Sequence, residues 1–118
     1  MYFSFIHIFL KSFICLSIFI CTSVWADNFP SKPITLVVAQ GSGSGSDVMA
    51  RLMAIYLGPI LGQPVVVENR AGAAGVIGHQ SVARSTPDGY TILITTTAGM
   101  FVVPAMNANA KYGLADYV

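Results

Sequence analysis

The stretch Ile34-Thr35-Leu36-Val37-Val38-Ala39-Gln40-Gly41-Ser42-Gly43-Ser44-Gly45-Ser46-Asp47 constrains the fold of this chain more than any other. An apolar, β-branched run flows into a Gly/Ser loop, and that loop opens an amphipathic helix. A strand, a glycine loop and a helix N-terminus in succession make an anion-binding corner from backbone alone. Unpaired N–H groups converge there, the helix dipole adds positive potential, and glycine lets a ligand approach closely. Ser42, Ser44 and Ser46 add hydroxyls that donate or accept. A flexible Gly/Ser linker is the plain alternative, but a linker needs neither a buried strand before it nor a capped helix after it.

The alternation continues downstream. Residues 33–39 read as a strand of continuous apolar character, as expected where both faces of a parallel sheet are covered. Ser46 or Asp47 is expected to cap the following helix. Val48, Leu52, Ile55 and Tyr56 share its apolar face, with Arg51 pointing outward. Gly58-Pro59 should end or kink that helix. Gly62-Gln63-Pro64 turns the chain into a second strand, residues 65–68, and a second glycine-rich loop follows over residues 69–75. A short helix then runs from Val76 to about Arg84, Pro87-Asp88-Gly89 marks a turn, and residues 90–95 form a third strand. After Met100 the pattern weakens. Strand, helix, strand, helix, strand predicts an α/β fold: a parallel βαβαβ sheet with right-handed crossovers. With strand order 2-1-3, the exit loops of the first and third strands face each other across one crevice, where such sheets bind ligands.

The chain is apolar for its 118 residues (hydrophobic 54%, charged 9%), and the excess sits in residues 1–26, where Lys11 is the only formally charged side chain. An apolar run after Lys11, then Val24-Trp25-Ala26 and a polar start at Asp27-Asn28, outlines a secretory signal peptide. The front of this segment is apolar rather than basic, so an uncleaved membrane anchor is the rival reading. Cleavage after Ala26 leaves residues 27–118 as the exported part, periplasmic if processed. There Lys32, Arg51, Arg70, Arg84 and Lys111 balance Asp27, Asp47, Glu68, Asp88 and Asp116. With no basic stripe, nucleic acid is not an expected partner. Cys15 and Cys21 both lie in the leader, so the exported part has no disulfide.

Three chemistries can be weighed against these residues. Gly41, Gly43 and Gly45 follow a strand, and Glu68 ends the next one, which resembles a dinucleotide-binding module. The fingerprint needs glycine where Ser46 stands, and that weakens the match. Catalysis has little support: His79 is the exported part's one histidine, expected at a surface or interface, and no acid and base follow the serines at useful places. His79, Asp88 and Glu68 show no metal-ligand spacing, and no cofactor is expected. Binding without chemistry remains. Backbone N–H groups of the first loop, with the hydroxyls of Thr95, Thr96 and Thr97, suit a small carboxylate. Asp47 serves either as helix cap or as a contact for a ligand amine.

Phe29-Pro30-Ser31-Lys32-Pro33-Ile34, the glycine loop with Ser46-Asp47-Val48-Met49-Ala50-Arg51, the run from Gly62-Gln63-Pro64 to Ala71-Gly72-Ala73, and Pro87-Asp88-Gly89-Tyr90-Thr91 occur in this order. Together they resemble the Bug family, the periplasmic substrate-binding receptors of tripartite tricarboxylate transporters. The resemblance implies a two-lobed type II periplasmic-binding-protein fold that closes around a small organic acid or amino-acid carboxylate and delivers it to a membrane permease. Residues 27–118 would be the N-terminal part of lobe 1, a truncated or fragmentary copy expected to be marginally stable alone and to bind ligand weakly or not at all. Carried over by position, Ser42, Gly43, Ser44, Gly45, Ser46 and Asp47 face the ligand from the first loop, and Thr96, Thr97, Ala98 and Gly99 from the second. Asn69 and Arg70 belong to the motif as structural residues. The family's usual Pro-aromatic-Pro approach to the first loop is here Ala39-Gln40-Gly41, which implies a more polar pocket mouth. A small membrane-anchored α/β interaction protein is the alternative.

Overall fold

In the computed structural model, residues 28–117 are described; the leader lies outside them. Strand β1 (Ile34–Val38) is followed by helix α1 (Gly45–Leu61), β2 (Val65–Asn69), a 3-10 turn (Ala73–Gly75), α2 (Val76–Ala83) and β3 (Thr91–Ile94). A π-helical turn (Ala98–Val102) then leads into the short α3 (Val103–Met106), and a 3-10 turn spans Leu114–Tyr117. The sheet is wholly parallel, in order β2-β1-β3. Leu36 pairs in register with Val67 on one side and Ile92 on the other. This is the expected α/β arrangement, and its central strand is the apolar run that leads into the first Gly/Ser loop.

Helices take opposite faces because successive crossovers run in opposite directions while both stay right-handed. Ile34, Leu36 and Val38 form the core on one face with Ala50 of α1, and Met53, Leu61, Val65, Val67 and Ile94 pack against it. On the other face, α2 crosses the end of β1 so closely that a Cβ at Gly78 would lie 2.8 Å from the Ala39 Cα. Val76 of α2 makes a second small cluster with Ala110 and Tyr112. The N-terminal segment is clasped to the start of β3: the Ser31 N–H donates to the Tyr90 hydroxyl at 2.8 Å, and Lys32 Nζ lies 4.3 Å from the centre of the Tyr90 ring.

Four sequence-based expectations are corrected. The face of α1 that carries Val48, Leu52, Ile55 and Tyr56 is exposed, with Tyr56 69% accessible. Asp47 and Ala50 are the buried residues of that helix. The small Ala50 permits close approach to the sheet, whereas the larger apolar stripe is left facing outward. The cap of α1 is Ser44, not Ser46 or Asp47: its extended backbone precedes the helix and its Oγ accepts from the Asp47 N–H. Gly58-Pro59 does not end α1, which continues to Leu61 and stops at Gly62 in the left-handed conformation, φ 65°. The carbonyl deprived of a donor by Pro59 belongs to Ile55, an exposed residue, so the lost bond falls on the solvent side of the helix rather than in the core. Finally, His79 is fully buried rather than at the surface.

Candidate functional site

Because β1 and β3 are neighbouring parallel strands, their exit loops leave the same edge of the sheet side by side. The ladder continues one residue past the strands, where the Ala39 N–H donates to the Ile94 carbonyl at 3.3 Å. From there one loop rises to the N-terminus of α1 and the other to the helical turn at Ala98.

The first loop is built around Asp47. Its Oδ2 accepts from the Gly43 N–H at 2.9 Å and from Arg51 Nε at 3.0 Å, and its Oδ1 accepts from Asn69 Nδ2 at 2.9 Å. Arg51 also reaches Oδ1 at 3.0 Å. The Arg51 hydrogen bond, then those of Gly43 and Asn69, hold the Asp47 carboxyl well below the usual carboxylate range. Asn69 Nδ2 also donates to the Gln40 carbonyl at 3.3 Å, which ties the ends of β1 and β2 together. Asp47 is therefore placed beneath the loop, with its lone pairs engaged by its own chain. Its Ser44-x-x-Asp47 spacing is a readable capping signal, here with the carboxylate reaching back to Gly43 instead of to the cap itself.

This arrangement sorts the first-loop donors. The Gly43 N–H serves Asp47, the Ser44 N–H serves the Gly41 carbonyl at 3.2 Å, and the Asp47 N–H serves Ser44 Oγ at 3.2 Å. The first-turn N–H groups of Gly45 and Ser46 are left by the cap for an outside acceptor. Gly41, Gly43 and Gly45 have open space where a Cβ would stand, so the backbone is approachable along the whole loop. Ser42 is exposed and Ser46 half-buried. Asp47→Ala is expected to free the loop while α1 persists. Exchange of the Gly43 amide should quicken roughly tenfold, the loss of one charge-assisted bond; unchanged protection by NMR would show that the loop is held some other way.

The second loop is anchored from below by His79. Its Nε2 lies 2.8 Å from Thr95 Oγ1 and its Nδ1 3.1 Å from the Tyr117 hydroxyl, and its ring stacks on Tyr112 at 4.4 Å. Since the Tyr117 hydroxyl donates to the His79 carbonyl, it accepts from Nδ1–H, which leaves Nε2 to accept the Thr95 proton. Thr95 therefore has no proton to offer a ligand. Thr96 Oγ1 accepts from the Gly99 N–H at 3.2 Å and keeps its own proton available. Thr97 and Ala98 are exposed, while Gly99 is buried, its carbonyl accepting from the Tyr112 hydroxyl at 2.7 Å. A Cβ at Gly99 would fall 2.7 Å from Thr95 Oγ1, so Gly99 faces inward. Thr96, Thr97 and Ala98 form the outer surface of this loop.

Local sequence carries no signal for the His79 cluster, because Tyr112 and Tyr117 are distant in the chain. Asn69 is structural, as its motif suggested, while both oxygens of Glu68 are held by Arg70 at 2.9 Å and do not stand free for a ribose. The concavities of about 370 and 460 Å³ lie away from these loops, lined respectively by residues such as Val82, Pro87 and Ile92, and Lys32, Arg84 and Asp88. The candidate site is thus an open ledge with two sets of donors. Among the described residues there is no group of three or more metal-ligating side chains, and no helix is long and apolar enough to cross a membrane.

Comparison with known proteins places this ledge in context. Residues 49–117 match the family model described as the tripartite tricarboxylate transporter family receptor. BugT of Bordetella pertussis is 46% identical over 93 residues, which cover 75% of this chain and 28% of that protein. The chain thus spans about 28% of the length of the first curated relatives it matches. A solved periplasmic transporter superposes with TM-score 0.68 at 43% identity, covering 72% of this chain and 29% of the other. An R. palustris protein solved with adipate gives 0.54 at 42% identity, and MatC from Rhodopseudomonas palustris with bound malate gives 0.53 at 38%. Each of these two covers 55% of this chain and 22% of its own.

Proposed function

As the chain belongs to the tripartite tricarboxylate transporter receptor family, we propose that it acts as a periplasmic receptor for a small carboxylate, passed on to a membrane permease. Residues 28–117 would supply one wall of the binding cleft, as part of the first lobe of a two-lobed protein. The observation that carries this reading is the pairing of two exit loops on the neighbouring strands β1 and β3. The first offers backbone N–H groups at Gly45 and Ser46 with the hydroxyls of Ser42 and Ser46, and the second offers the hydroxyls of Thr96 and Thr97. All are neutral donors at the positive end of a helix, the arrangement that holds an anion reversibly. Neighbours solved with adipate and malate support a carboxylate as the ligand.

The reading is of a receptor without catalysis. His79, the one histidine of the described residues, is buried between two hydroxyls and a tyrosine ring and has no carboxylate partner. The apolar stripe on α1 favours the alternative of a small membrane-anchored interaction protein, and one titration separates the two. Adding adipate to the isotope-labelled chain should shift the amides of Gly45, Ser46, Thr97 and Ala98 together and saturably. Shifts that stay confined to the opposite edge around Arg84 at millimolar adipate would sink the receptor reading.

A further inference from the structure

The outer face of α1 carries a stripe that a helix packed on a sheet does not ordinarily show to water. Val48, Met49, Leu52, Ile55, Tyr56 and Ile60 are between 47% and 77% exposed, while Ala50, Met53 and Leu61 pack toward the sheet. Of residues 48–61 only Arg51 is charged, and its guanidinium is turned back onto Asp47, with Nε 3.0 Å from Oδ2. A helix that is apolar on all sides belongs to an interior. Both ends of the described chain are held elsewhere. Ser31 and Lys32 are fixed at Tyr90, before the start of β3, and Tyr117 lies against His79 of α2, on the opposite face of the sheet.

We propose that this face is an interface between two copies of the chain, joined as a two-fold dimer through antiparallel α1 helices. Its area fits. Six side chains at those exposures offer about 700 Å², close to the ~800 Å² that each partner gives to a specific interface and more than a monomer commonly leaves in one apolar patch. Its spacing fits as well. Val48, Leu52, Ile55 and Pro59 step by four, three and four residues, the seam of paired helices, and that series reads the same in both directions. A two-fold axis between Met53 and Ala54 therefore sets Leu52 against Ile55 of the second copy, and Val48 against its Pro59, as a self-complementary contact requires. No like charges meet, since the one guanidinium of the helix stays with Asp47. A lipid surface fits less well: helices that lie on membranes carry Lys and Arg beside their apolar face, and here the single cation is already engaged. Each ledge of donors sits at the N-terminus of its own α1, so an antiparallel pair leaves both open, at opposite ends. The dimer stands independently of the receptor reading.

Sedimentation velocity of the exported chain should show a monomer–dimer equilibrium in the micromolar range. Ile55→Lys brings an ammonium group from each copy to the dimer axis and should weaken the dimer roughly hundredfold. Met106→Lys, at a side chain 83% exposed outside the stripe, should leave it within about twofold. Residues 27–118 contain no cysteine, so introduced cysteines give a second readout that does not require Ile55→Lys to fold. Under mild oxidation, a mixture of Leu52→Cys and Ile55→Cys chains should cross-link roughly tenfold faster than a mixture of Leu52→Cys and Met106→Cys chains. A parent chain still monomeric at about 100 μM, a dimer that survives Ile55→Lys, or a cysteine pair no faster than the control overturns the inference. So does a monomer that binds phosphatidylglycerol vesicles and releases them in Ile55→Lys, which would make the stripe a lipid contact.

Discussion

Gly78→Ala is expected to destabilise the chain by about 2–3 kcal/mol, a large effect for one added methyl. The reason is geometric. A Cβ at position 78 would stand 2.7 Å from the Arg70 carbonyl oxygen, 2.8 Å from the Ala39 Cα and 3.0 Å from the Ala39 Cβ. None of these is the free end of a flexible side chain, so relief requires α2 to move away from the sheet. That movement would carry His79, the next residue, off Thr95, and would shift Ala39 at the root of the first exit loop. Gly41→Ala is the control: nothing lies within 4 Å of its Cβ position, and a change within about 0.5 kcal/mol is expected. Urea denaturation of the two variants reads the difference. Equal midpoints would mean that α2 sits less tightly against β1 than its backbone indicates.

Gly78 also shows where the sequence was legible and where it was not. Parallel pairing follows from the alternation of residues 33–95, because right-handed crossovers leave few topologies for three parallel strands, but the order that sets the two loops side by side entered as a condition and is fixed by the fold. The end of α1 was harder. Pro59 reads as a stop, yet its vacant acceptor falls on the exposed side of the helix, and the left-handed Gly62 supplies the true end. Helical periodicity finds an apolar stripe at Val48, Leu52, Ile55 and Tyr56 but does not say which side of a helix apolar on two sides meets the sheet. Ala50 decides that, through small size rather than hydrophobicity. Within the site, the cap was local but ambiguous: three serines alternate with glycine before the helix, and only the extended backbone at Ser44, with its Oγ on the Asp47 N–H, picks the first position of the Ser44-x-x-Asp47 pair. His79 has no local pattern at all: its environment is made by Thr95, Tyr112 and Tyr117, up to 38 residues away, and only the folded chain brings them to one ring.

His79→Ala is expected to cost about 3–4 kcal/mol, the range for emptying a buried aromatic site, and to release the second loop. Deleting the ring removes the stacking surface of Tyr112 and the acceptor of the Thr95 proton at once. The same burial makes His79 the origin of a pH dependence. Desolvation pushes its pKa below the ordinary histidine value, so the unfolded chain binds a proton that the folded chain resists. Stability is therefore full above the unfolded value of about 6.5 and falls as the pH drops through it toward the folded pKa. Asp47, Glu68 and Asp88 are held below the normal carboxylate range, so their contribution is lost only in stronger acid. The groups around the ring are Thr95, Tyr112 and Tyr117, with Asp116 beside the last of them, and burial pushes both tyrosine hydroxyls up, away from the range in which the histidine titrates. Thermal melts from pH 7.5 to 5 should fall for the parent chain and stay nearly level for His79→Gln, which keeps a polar side chain without the titration. Parallel slopes would show that the ring protonates freely in the fold. For that to happen Nε2 would have to become a donor and the Thr95 hydroxyl would have to turn outward. Thr95 would then offer its proton at the edge where Thr96 and Thr97 already offer theirs, and the ledge would hold anions better in acid rather than merely losing its support.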